Sequence, residues 1–97
     1  MNDDQSTTFK GTPFWMAPEV IKSQGHGRFA DIWSFGCTVY EMCNGKPPWS
    51  QLNEFAAMTS IAAATGPPTY PSSVSPDLAD FMDKCFKIDP PDRYNVY

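Results

Sequence analysis

Histidine is almost missing from this chain: His26 stands alone. Cysteine is scarce too, with Cys37, Cys43 and Cys85 making an odd count and no C-x-x-C pair. Together these exclude a disulfide framework and a structural zinc site, and no metal site of any kind is expected. The three thiols read as reduced, small apolar side chains of a cytoplasmic protein. No nucleophile–histidine–acid set can be assembled. Positive charge is also short, seven Lys+Arg against eleven Asp+Glu for a net charge of −4. That balance argues against nucleic acid or an anionic membrane as partner. No apolar run approaches the ~20 residues of a membrane span. The opening Met1-Asn2-Asp3-Asp4-Gln5 is polar and acidic, unlike a signal peptide or a myristoylation site. There is no internal repeat and no sustained strand-like alternation.

What remains is helix-forming. With 97 residues there is room for one domain at most. The 41% apolar and 14% aromatic content is too high for a disordered chain. Residues 1–12 read as a polar loop with a hydroxyl cluster at Ser6-Thr7-Thr8. Pro18 and Glu19 suit the first turn of a short helix ending near Ser23, before the breaker Gly25-His26-Gly27. Residues 30–44 carry apolar side chains on every side, with Asp31 and Glu41 the only charges. Such a helix is expected to be buried all round, and it is too short to cross a bilayer. Asn44-Gly45 and Pro47-Pro48 stop it. A one-sided helix is expected over residues 53–64, with Phe55, Met58 and Ile61-Ala62 as its stripe. Another opens at Ser75-Pro76 with Ser75 as N-cap, carrying Leu78, Phe81, Met82, Cys85 and Phe86 at helical spacing. A central helix buried on all sides needs more neighbours than these segments supply, so the chain reads as part of a larger core.

Two motifs are weak. Gly25-His26-Gly27-Arg28-Phe29-Ala30 matches G-x-G-x-x-A, but no strand precedes it, so a dinucleotide role is not expected. Pro68-Thr69-Tyr70-Pro71 matches P-x-x-P and reads better as a turn between helices.

The strong signal is a linked set. Lys10-Gly11-Thr12-Pro13-Phe14-Trp15-Met16-Ala17-Pro18-Glu19 contains the A-P-E element. Twelve residues after Glu19 comes Asp31-Ile32-Trp33-Ser34-Phe35-Gly36, and Asp89-Pro90-Pro91-Asp92-Arg93 lies near the end. In order and spacing this set resembles the protein kinases, from the activation segment through the central helix of the C-lobe to the D-P-x-x-R element. Gly11-Thr12 is similar to Ser/Thr kinases. The run from Gly25 to Met42, with Gly45-Lys46-Pro47-Pro48-Trp49, resembles the MAP kinase kinase kinases of the MEKK/NPK type.

The resemblance implies a mostly α fold, a partial kinase C-lobe spanning residues 1–97, with an activation segment at 1–19 and C-lobe helices over 18–97. It implies that Gly11, Thr12, Pro13, Phe14 and Trp15 form a substrate pocket, with Thr12 supporting the catalytic loop. It makes Ser6, Thr7 and Thr8 candidate phosphosites, Thr8 best placed. Glu19 and Arg93 would form a structural ion pair, Asp31 would brace the catalytic-loop backbone, Trp33 and Phe35 would be core, and Gly36 would allow close packing. The glycine-rich loop, the lysine, H-R-D-x-x-x-x-N and D-F-G have no match and are expected before Met1. After Arg93, Tyr94 replaces the family's usual proline, which puts the last C-lobe helix in doubt. The implied parent uses ATP and magnesium to phosphorylate a MAP kinase kinase-like protein on Ser/Thr. These residues alone hold no catalytic group, bind no cofactor and are expected to be inactive. A non-catalytic binding module using the face around Phe55 and Met58, or a truncated gene product, are the alternatives.

Overall fold

Proline decides where most of the helical elements begin. In the computed structural model, which describes residues 13–24 and 27–94, proline opens the 3-10 turns Pro13–Trp15 and Pro90–Asp92 and the helices α1, Pro18–Ile21, and α4, Pro76–Cys85. Its fixed φ suits a first helical position, where the missing N–H costs nothing. The other two helices are α2, Arg28–Asn44, and α3, Glu54–Ala62; no strand occurs among the described residues. The mostly α reading therefore holds.

Caps fix the remaining boundaries. Asn53 Oδ1 accepts from the Ala56 N–H at 2.8 Å, and Ser75 Oγ from the Leu78 N–H at 3.1 Å. Each satisfies one of the orphan donors of a helix start. Gly45, at φ 81°, ends α2 in the left-handed conformation and donates its N–H to Glu41 O at 2.7 Å. Helix α2 starts two residues earlier than the sequence pattern indicates, and α1 stops two residues before Ser23. Of the Gly25-His26-Gly27 breaker, Gly25 and His26 lie outside the described residues.

The core centres on Trp33, which is fully buried. Phe86 meets it edge-on at 5.0 Å between ring centroids, and Trp49 stacks on it at 6.0 Å and 13°. Trp49 itself adopts a φ of 62°. A non-glycine residue there costs roughly 1–3 kcal/mol, which the stacking and partial burial of the ring help to offset. Ala17, Ala30, Cys37, Ile61, Met82 and Phe86 complete the cluster. Helices α2 and α4 approach closely at Gly36, where an added Cβ would lie 2.7 Å from Cys85 Cβ and 3.2 Å from two Phe86 ring carbons.

Two expectations need correction. The central helix is buried on one side only: Ala30, Trp33, Gly36 and Cys37 are covered, whereas Phe35 is 53% and Met42 79% exposed, and Thr38 and Cys43 are open as well. Only part of the helix circumference finds neighbours among the described residues, so Phe35 is not core; its ring meets that of Phe81 edge-on, with centroids 6.0 Å apart. In α3 the inward residues are Ala57 and Ile61, with Met58 half-buried, and Phe55 is 79% exposed. At 3.6 residues per turn, Phe55 lies nearly opposite Ala57, so it cannot share Ala57's face.

The connection between α3 and α4 is tied down by two tyrosines. Tyr40 donates to Thr69 O at 3.0 Å, and Tyr70 donates to Asp83 Oδ1 at 2.6 Å. The P-x-x-P stretch thus serves as an inter-helix connection. Burial, reinforced by the Asp83 carboxylate, raises the pKa of the Tyr70 hydroxyl well above the usual phenol value.

Candidate functional site

Residues 13–19 form a strap laid along α2. Pro13 is fully buried, and the Met16 N–H donates to Pro13 O at 2.9 Å, closing a single turn. Trp15 is held at two points. Its carbonyl accepts from Ser34 Oγ at 2.6 Å, and its indole N–H donates to Glu41 Oε1 at 3.3 Å. Ser34 and Glu41 stand seven residues apart in α2, two turns along the same side of the helix. Phe14 lies edge-on to Trp15 at 6.3 Å. Ala17 and Pro18 are buried beyond the turn and fasten the strap to the core.

The strap ends on an ion pair. Arg93 Nη1 lies 2.7 Å from Glu19 Oε2, and Nη2 lies 2.9 Å from Oε1. The arginine side chain is 0% exposed and that of Glu19 12%. Arg93 also donates to Lys87 O at 2.7 Å, Phe29 O at 2.8 Å and Ile88 O at 3.4 Å, and its guanidinium sits 5.0 Å over the Trp33 ring. A guanidinium has five N–H groups, and each finds an acceptor here. A buried cation is tolerable only with pairing of this completeness. The 3-10 turn Pro90–Asp92 delivers Arg93 to this position.

The other singled-out residues divide. Gly11 and Thr12 of the candidate substrate pocket, and the candidate phosphosites Ser6, Thr7 and Thr8, lie outside the described residues. Pro13, Phe14 and Trp15 form the turn above. Asp31 is exposed in the first turn of α2; its backbone N–H donates to Gly27 O at 3.1 Å, and its side chain makes no hydrogen bond or ion pair with the described residues. Trp33 and Gly36 are packing residues, although the buried Trp33 indole N–H has no acceptor among the described residues. Ser34 and Glu41 are not among the sequence candidates: Glu41 shows a signal, as one of only two charges in residues 30–44, and Ser34 shows none.

Little here suits reactive chemistry. Cys37 and Cys85 are buried and Cys43 is exposed, all three as free thiols. Burial pushes the Cys85 thiol up to about 11 against the opposing pull of Arg93, and it raises Cys37 as well, so both stay protonated at neutral pH. Among the described residues no three His, Cys, Asp or Glu side chains are grouped to hold a metal, and no helix is long and apolar enough to cross a membrane. Asp31 and Glu41, ten residues apart on one helix, are separated by roughly 15 Å at 1.5 Å per residue.

The protein kinase domain family model matches residues 1–97. The chain is 51% identical over 90 residues to mitogen-activated protein kinase kinase kinase A of Dictyostelium discoideum, covering 92% of this chain and 10% of that protein. It is 52% identical over 84 residues to mitogen-activated protein kinase kinase kinase 3 of Arabidopsis thaliana, covering 86% and 13%. It is 46% identical over 93 residues to mitogen-activated protein kinase kinase kinase 19 of Mus musculus, covering 95% and 7%. The chain thus spans about a tenth of the length of these relatives.

Proposed function

Because this chain belongs to the protein kinase domain family, we propose that it acts as the C-lobe segment of a Ser/Thr kinase of the MAP kinase kinase kinase type. The whole enzyme transfers the γ-phosphoryl of ATP, with magnesium, to Ser/Thr hydroxyls of a MAP kinase kinase-like protein in a cytoplasmic cascade. Residues 1–97 are then a partial kinase domain, with the activation segment at 1–19. The observation that carries the reading is the fully paired Arg93, which closes the strap at Glu19 against α2 across 74 positions of sequence.

ATP and magnesium belong in this reading to the rest of the enzyme: the sequence carries no glycine-rich loop, H-R-D-x-x-x-x-N or D-F-G element to hold them. The role of this segment is to hold the protein substrate. Pro13, Phe14 and Trp15, with Gly11 and Thr12 before them, form the pocket wall; Thr12 steadies the catalytic loop; phosphate at Ser6, Thr7 or Thr8 adds about −1.5 to −2 charges and orders the segment. Asp31, exposed on α2, braces the same catalytic loop. In the full-length polypeptide, Thr8→Ala reduces phosphorylation of a MAP kinase kinase and Thr12→Ala nearly abolishes it; full activity in both overturns the assignment. The 97-residue chain by itself should show no saturable Mg-ATP binding in calorimetry and should phosphorylate nothing. Micromolar binding would refute that.

A further inference from the structure

We infer that Ser34 is a positioning residue for protein-substrate binding, and that it acts with Glu41 as a two-point clamp on Trp15. The inference rests on the substrate-pocket reading of Pro13–Trp15. A 3-10 turn of three residues has almost no stability of its own; among the described residues it closes on one backbone bond, from Met16 to Pro13. Its conformation must be imposed by what it lies on. Pro13 supplies a buried anchor at one end. At the other end, Ser34 Oγ takes the Trp15 carbonyl at 2.6 Å, which sets the direction in which the chain leaves the turn. Glu41 Oε1 takes the Trp15 indole N–H at 3.3 Å, which lays the ring along α2. The Phe14 ring, edge-on to Trp15, is aimed by the same arrangement. The two bonds differ in weight. The Ser34 bond is short and grips the main chain; the Glu41 bond is longer and grips only the side chain. Ser34 therefore governs the backbone of the pocket wall and Glu41 its outer surface.

The clamp holds Pro13–Trp15, the residues assigned to the protein substrate, so its loss is expected in binding of that substrate and not of nucleotide. Losing one hydrogen bond of this kind corresponds to about a three- to ten-fold change in an equilibrium constant. The test uses Ser34→Ala in the full-length polypeptide. The expected result is a KM for the protein substrate raised about three- to ten-fold, with KM for ATP and kcat unchanged, and recovery in Ser34→Thr, which restores the hydroxyl. Amide hydrogen exchange should quicken at Trp15 and Met16 and stay as before at Met82 and Cys85 in α4. A merely structural role would quicken exchange in both places. Glu41→Ala cuts the other end of the clamp independently and should quicken exchange at Trp15 less than Ser34→Ala does. Unchanged exchange at Trp15 and Met16 in Ser34→Ala overturns the inference, as does a KM for ATP that rises in parallel with that for protein. If the full-length polypeptide phosphorylates no protein at all, the functional reading falls, and the exchange measurement still decides whether Ser34 holds the turn.

Discussion

Truncating Arg93 to alanine should be as costly as emptying the core at Trp33. The substitution strips Glu19 of its partner at 2.7 and 2.9 Å and removes the donor from Lys87 O, Phe29 O and Ile88 O. It also opens a cavity against Trp33. Removing one member of a buried pair costs about 3–5 kcal/mol, and each orphaned carbonyl that water cannot reach adds to it, though not additively. A domain of this size has about 5–15 kcal/mol of total stability, so the loss is a large fraction of it. In a kinase-sized domain, a loss of about 4 kcal/mol lowers Tm by about 10 °C. Arg93→Lys keeps the charge but has one ammonium for acceptors that a planar fork reaches together, and it should recover less than half of the loss. The double replacement Glu19→Leu/Arg93→Met removes both charges and should be milder than Arg93→Ala. The assay is urea unfolding of the full-length polypeptide at 0.1 M and 1 M salt. A buried pair is screened little, so the loss should be alike at both. A loss under about 1 kcal/mol that vanishes at high salt is the signature of an exposed pair, and would refute the reasoning.

Three further outcomes follow from packing and burial. Gly36→Ala places a methyl group 2.7 Å from Cys85 Cβ, forcing α2 and α4 apart, and should destabilise by about 1–3 kcal/mol; denaturant midpoints equal to wild type would contradict the close approach. Of the three thiols, only Cys43 is exposed, so a thiol reagent at neutral pH should label one cysteine quickly and the other two only on unfolding, read by peptide mass. Stability should fall as pH rises from 9 towards about 11, because native Cys85 keeps its proton up to about 11 while the unfolded thiol ionises near 9.0, so that unfolding releases a proton. Cys37 and Tyr70, also raised, act in the same direction; denaturation midpoints that stay flat across this range would count against burial as the cause.

The local signals in the sequence were sufficient for the four α-helices. Pro18, Pro76 and Ser75 mark helix starts because their chemistry acts within one turn, and Gly45 marks a stop for the same reason. The spacing of Leu78, Phe81, Met82, Cys85 and Phe86 located the buried face of α4, since one apolar stripe leaves one choice of side. The linked set from Gly11 to Arg93 pointed to the kinase family, and to the pairing of Glu19 with Arg93, through resemblance; no local rule connects residues 74 positions apart. In α2, apolar residues on every side left the buried face undetermined. The positions of α4, α3 and the strap decided it, covering Trp33 and leaving Phe35 and Met42 exposed. Phe55 turned outward because the tertiary arrangement seated Ala57 and Ile61, and a helix cannot present opposite sides to one core. The clamp on Trp15 was equally beyond the sequence. Ser34 has no property as a residue type that names a carbonyl 19 positions earlier, and only the docking of the strap on α2 brings the two within 2.6 Å.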